Sequence, residues 1–123
     1  MKDWIVTGAL LAGIAIGLGA FGAHGLKNRI TFDYLTVFET GVKYQIYHAL
    51  GLMLIGILAF HFPSEPLYIP CVFLITGICL FSGSLYVLSI TGIKWIGAVT
   101  PFGGLSFIIG WILTAYYIWR ASI

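Results

Sequence analysis

Residues 66–93 read PLYIPCVFLITGICLFSGSLYVLSITGI, 28 consecutive positions without an Asp, Glu, Lys or Arg. An α-helix crosses the hydrocarbon core of a bilayer in about 20 residues, so this run spans it with a turn or two to spare. Barrel strands alternate apolar and polar residues over about ten positions, and no such alternation is present. Working outward, three further uncharged stretches cover 4–26, 44–64 and 95–119, which are 23, 21 and 25 residues long. Every backbone amide in the hydrocarbon core must be bonded internally, and an ionised side chain at its centre costs on the order of 3 kcal/mol. Four transmembrane helices follow, over about 4–26, 44–62, 67–92 and 95–119. The predicted fold class is therefore all-α: one domain over 1–123, an integral membrane four-helix bundle.

The whole chain agrees. Of its 123 residues, 60% are hydrophobic and 8% charged, whereas soluble domains carry about 25% charged residues. The ten charges act as punctuation. Lys2 and Asp3 begin the chain; Lys27, Arg29, Asp33, Glu39 and Lys43 cluster; Glu65, Lys94 and Arg120 stand singly. The first stretch follows a lysine and ends in small residues, as a secretory leader does, but its apolar part, Trp4 to Phe21, exceeds a typical leader core and reads as a span. Pro63, Ser64, Glu65 and Pro66 form a tight turn between spans two and three, and Pro70 falls where a helix's first turn tolerates a missing amide.

Between spans one and two, Leu35, Phe38 and Val42 share one helical face and Asp33, Thr36, Thr40 and Lys43 the other. This predicts a short amphipathic interfacial helix over about 31–43. Thr36 and Glu39 have capping-box spacing, and Glu39 with Lys43 is a supportive i, i+4 pair. Basic residues favour the cytoplasmic side. Lys27, Arg29, Lys43 and Lys94 lie on one side and Lys2 and Arg120 on the other, so both termini are expected outside and the interfacial helix on the cytoplasmic side.

Small residues recur at helical spacing. Gly13 and Gly17 continue a row from Ala9, and Ser106 and Gly110 run on to Thr114; both rows read as helix-packing faces, within the bundle or at a homodimer seam. Among the polar residues within the spans, His24, Gln45, His48, Ser82, Ser84, Ser89 and Thr100 gather toward one half of the bilayer. Such one-sided enrichment fits either a polar inner vestibule or a hydrogen-bond network that fixes the bundle.

Several function classes are set aside. The net charge of +2 comes from six scattered basic residues that form no stripe interleaved with aromatics, so nucleic acid is not expected as a partner. Cys71 and Cys79 lie about 12 Å apart on one helix and cannot be bridged within the chain. His24 and His48 have no third ligand at metal-site spacing, and His61 belongs near the opposite interface, so no metal or other cofactor is expected. No serine or cysteine stands in a nucleophile arrangement, so no enzymatic activity is expected either. Thr100, Pro101, Phe102, Gly103 and Gly104 form a local breaker that reads best as a helix start with proline in its first turn.

Four runs carry a likeness: Phe21 to Leu26; Phe38 through Gly41, Tyr44, Gln45 and His48 to Gly51; Phe81 to Tyr86; and Thr100 to Gly104 with Gly110 and Trp111. Through them the chain resembles, over essentially its whole length, the domain of unknown function 423 family, small multi-pass membrane proteins also grouped as uncharacterised protein family UPF-0382. The resemblance implies a bacterial plasma-membrane location and no established reaction. The expected role is structural, membrane-organising or partner-binding, with the lipid bilayer and a homo-oligomer or another membrane protein as partners. The alternative is a minimal oligomeric channel or transporter.

Overall fold

The computed structural model describes residues 1–121 and is almost entirely helical. Helix α1 runs Lys2–Phe21 and widens into a π-helical turn at Gly22–Leu26. Helix α2 is Phe32–Leu58. Helices α3, Ser64–Gly77, and α4, Gly83–Thr91, are joined through a π-helical turn at Ile78–Ser82. A 3-10 turn at Lys94–Ala98 leads into α5, Thr100–Arg120. Together they form four apolar spans, Lys2–Leu26, Phe32–Leu58, Glu65–Thr91 and Lys94–Arg120. Spans of 25 to 27 residues are about 40 Å long, enough for the hydrocarbon core and part of both interfaces.

Span two begins earlier than expected. Thr31 takes an extended conformation and its Oγ1 accepts the Tyr34 amide at 3.3 Å, which caps the helix there. Thr36, expected to cap, lies inside the helix and donates back to the Phe32 carbonyl. The segment expected as a separate interfacial helix is thus helical, but it continues into span two without a break. The reason is packing: Phe38 and Val42 form a buried cluster with Ala15 and Leu26 of span one. Apolar periodicity toward a lipid interface and toward a neighbouring helix look the same in sequence.

Pro66 occupies the first turn of α3, whereas Pro70 lies inside that helix and is fully buried, not at its start as expected. Pro101 does stand in the first turn of α5. Gly92 closes α4 in the left-handed conformation, φ 71°, with its amide on the Leu88 carbonyl at 2.8 Å; glycine adopts this geometry without the strain of a Cβ.

The spans pack in chain order, one on two, two on three and three on four. Side chains also join two and four, where His48 meets Phe107 and Trp111 lies against Gly51. Span one rests on span two through Gly8, Ala15 and Gly22, all buried; a Cβ at Gly8 would run into Ala49 and Met53. Two apolar clusters result. Leu26, Phe38 and Val42 with Ala15 fill the end near the first loop, and Leu52, Ile55, Leu67, Leu74 and Phe107 fill the other. Between them, on span two, lie Gln45 and His48.

Candidate functional site

The layer between the two apolar clusters is where the polar candidates are found. Gln45 is buried, and its amide spends both functions on other helices: Nε2 donates to the Leu11 carbonyl of span one at 2.9 Å, and Oε1 accepts the Tyr86 hydroxyl of span three at 2.6 Å. One side chain therefore ties three spans. Next to it, Ser82 donates to the Gly41 carbonyl at 2.7 Å. The hydroxyl leaves its own helix because Ser82 sits in the π-helical turn and Gly41 has no side chain to hold the backbones apart; a Cβ there would meet Tyr86.

Spans three and four are joined in the same way. Ser84 donates to the Phe81 carbonyl at 2.9 Å and so accepts from Thr100 Oγ1 at 2.5 Å. Ser106 donates to the Phe73 carbonyl at 2.7 Å. Gly103 and Gly110 permit these approaches, for a Cβ at the first would strike the Phe81 backbone and at the second Leu74, Phe73 and the Pro70 carbonyl.

His48 belongs to the layer by a different means. Its ring stacks on Phe107, centroids 3.5 Å apart and planes 8° from parallel, with Tyr44 and Trp111 flanking at 6.1 and 6.0 Å. The Tyr44 carbonyl lies 2.7 Å from Nδ1. A carbonyl only accepts, so Nδ1 carries a proton and, in neutral imidazole, Nε2 is the lone-pair nitrogen. His48 lies close to the middle of its 27-residue span, deeper than an interfacial position.

The structure brings Gln45, His48 and Ser82 into this layer, joins Ser84 to Thr100 nearer the first loop, and leaves out His24, which is exposed in the turn after α1. Of the small-residue positions, Ser106 and Gly110 are buried against span three. Gly13 and Gly17 are exposed, with nothing within 4 Å of an added Cβ. Packing inside the bundle is not their role; the neighbouring row through Gly8 and Ala15 takes it. Sequence reading missed Tyr86, because its bond to Gln45 joins positions 41 residues apart. Ser89, also among the polar residues of span three, is buried and bonds locally to the Tyr86 carbonyl at 2.9 Å.

Chemically, the layer is closed. Among the described residues no buried side-chain nitrogen or oxygen lacks a hydrogen-bond partner, no cavity opens, and no group of three or more His, Cys, Asp or Glu is placed to hold a metal ion. Cys71 is buried and Cys79 exposed, both as free thiols.

Four apolar spans locked by helix-to-helix hydrogen bonds define a small multi-pass membrane protein. The chain belongs to the family described as Protein of unknown function (DUF423), whose family model matches residues 18–104. It is 51% identical over 114 residues to the UPF0382 membrane protein YwdK of Bacillus subtilis, covering 92% of this chain and 93% of that one. The UPF0382 membrane protein SSP2132 of Staphylococcus saprophyticus is 49% identical over 113 residues, at 92% and 93% coverage. The counterpart SH2409 of Staphylococcus haemolyticus is 44% identical at 92% of each chain. No solved structure matches the chain.

Proposed function

We propose that this protein is a non-enzymatic module of the bacterial plasma membrane that works by binding other transmembrane helices and conducts no ion or solute. The observation that carries this reading is the use made of the polar layer. Gln45, Ser82, Ser84, Thr100 and Ser106 all bond to neighbouring helices or to each other, which leaves none of them aimed at a solute. Substrate pathways in membranes are lined by polar groups that face a wet cavity, and the interior here is filled by side chains. On this reading both termini lie outside the cell. Lys27, Arg29 and Lys94 lie at the loop ends of one side, against Lys2 and Arg120 on the other, with Lys43 lying within span two.

The test is a flux screen of purified protein in liposomes with monovalent ions and small neutral solutes, run for wild type and His48→Ala. Flux equal to that of empty vesicles is expected for both. Flux in the wild type that His48→Ala abolishes would replace this reading with the channel alternative. Orientation is checked by reporter fusions at each terminus, active only on the outer side.

A further inference from the structure

The outer face of span two is unlike the outer faces of the other spans. At positions 43, 47, 50, 54 and 57 the helix presents Lys43, Tyr47, Leu50, Leu54 and Ile57, all exposed, and Glu39 is exposed one turn before Lys43. That spacing is one face of an α-helix, as on the other spans; the charged pair at its first-loop end sets this face apart. Yet none of the chain's own spans covers it.

Depth makes this informative. The Ser82–Gly41 bond sets residue 41 of span two level with residue 82 of span three, each nine positions inside its span from the first-loop end, or ~14 Å by helical rise. Glu39 and Lys43 flank that level. At comparable depth spans one and four expose Ile16, Phe102 and Leu105, the composition expected against hydrocarbon. A carboxylate and an ammonium there are costly against lipid tails. A lysine can extend its amine toward the interface, but the shorter glutamate has little reach to do the same.

We infer that the exposed stripe of span two is a self-association seam, occupied by span two of a second copy in the same orientation, with Glu39 and Lys43 of each chain paired reciprocally. Charge complementarity selects the occupant. All copies insert the same way, so their two-fold axis runs along the membrane normal and a patch must match itself. Opposite charges one turn apart do so: the carboxylate of one copy meets the ammonium of the other, twice, and the four charges cancel away from lipid. Tyr47, Leu50, Leu54 and Ile57 continue the seam as knobs. This inference rests on the helix-binding reading above and names the partner.

Two measurements test it in vesicles of phosphatidylcholine. Leu50→Cys in a Cys79→Ser background, under mild oxidation, is expected to give a disulfide dimer, whereas Ile108→Cys, exposed on span four, gives none in the same time. In energy-transfer titrations between copies labelled at the C-terminus, Glu39→Lys or Lys43→Glu alone is expected to weaken association about tenfold, and the double swap to restore it. Equal crosslinking at positions 50 and 108, none at 50, or a swap no better than the single variants overturns the seam. A monomer without flux overturns this inference while the helix-binding module stands; a dimer that conducts keeps the seam and overturns the non-conducting reading.

Discussion

Removing the Gln45–Tyr86 bond offers the sharpest test of the idea that the polar layer fixes the bundle. Tyr86→Phe deletes the 2.6 Å donor and leaves Gln45 Oε1 buried without a partner, a loss of about 1–2 kcal/mol. Gln45→Leu removes that bond and the 2.9 Å bond to Leu11. Interhelical hydrogen bonds in membranes average about 0.6 kcal/mol each, so its expected cost is about 1 kcal/mol, the leucine filling most of the same volume. With Gln45 already gone, the Tyr86 hydroxyl has lost its acceptor, and Tyr86→Phe should then cost close to nothing. The double variant is therefore expected to match Gln45→Leu alone, a coupling of about 1–2 kcal/mol. The assay is reversible unfolding in mixed micelles titrated with sodium dodecyl sulfate, followed by tryptophan fluorescence. Additivity of the two single variants to within about 0.3 kcal/mol would refute the reasoning, since independent sites add to that precision.

Other perturbations discriminate between faces and between roles. Gly103→Ala places a methyl against the Phe81 backbone and should cost about 2 kcal/mol in the same titration. Gly17→Ala, with open space around it, should instead raise stability by up to about 0.8 kcal/mol through helix propensity. His48→Phe should keep the stack on Phe107 and leave thermal stability in detergent near wild type, whereas His48→Ala should lower it by about 2 kcal/mol by leaving a void. Ser106→Ala should cost about 0.6 kcal/mol, measured by the same unfolding titration.

Much of the architecture was legible from where charge is absent, because inserting charge is costly enough to fix four spans whatever the packing. The caps and faces were less so. Thr31 and Thr36 are both plausible N-caps, and the choice fell to Thr31 because Phe38 and Val42 bury against span one, which keeps the intervening turns helical. Two rows of small residues run along span one, and spacing alone does not say which row meets span two. Gly8 and Ala15 do so because Ala49 and Met53 lie opposite Gly8. Gln45, Ser82 and Thr100 were identifiable as polar residues in apolar surroundings, but their partners lie in other helices. The depth of Lys43 became readable only once Ser82 and Gly41 had aligned two spans.

The bond between Gln45 and Tyr86 also sets an order for biosynthesis. The Leu11 carbonyl is available to Gln45 as soon as span two lies beside span one, but the donor for Oε1 stands 41 residues later. Until span three emerges from the ribosome, the amide oxygen has no Tyr86 hydroxyl to accept from. Release of span two into lipid ahead of span three would therefore strand it, and the hairpin of spans two and three is the natural unit of insertion.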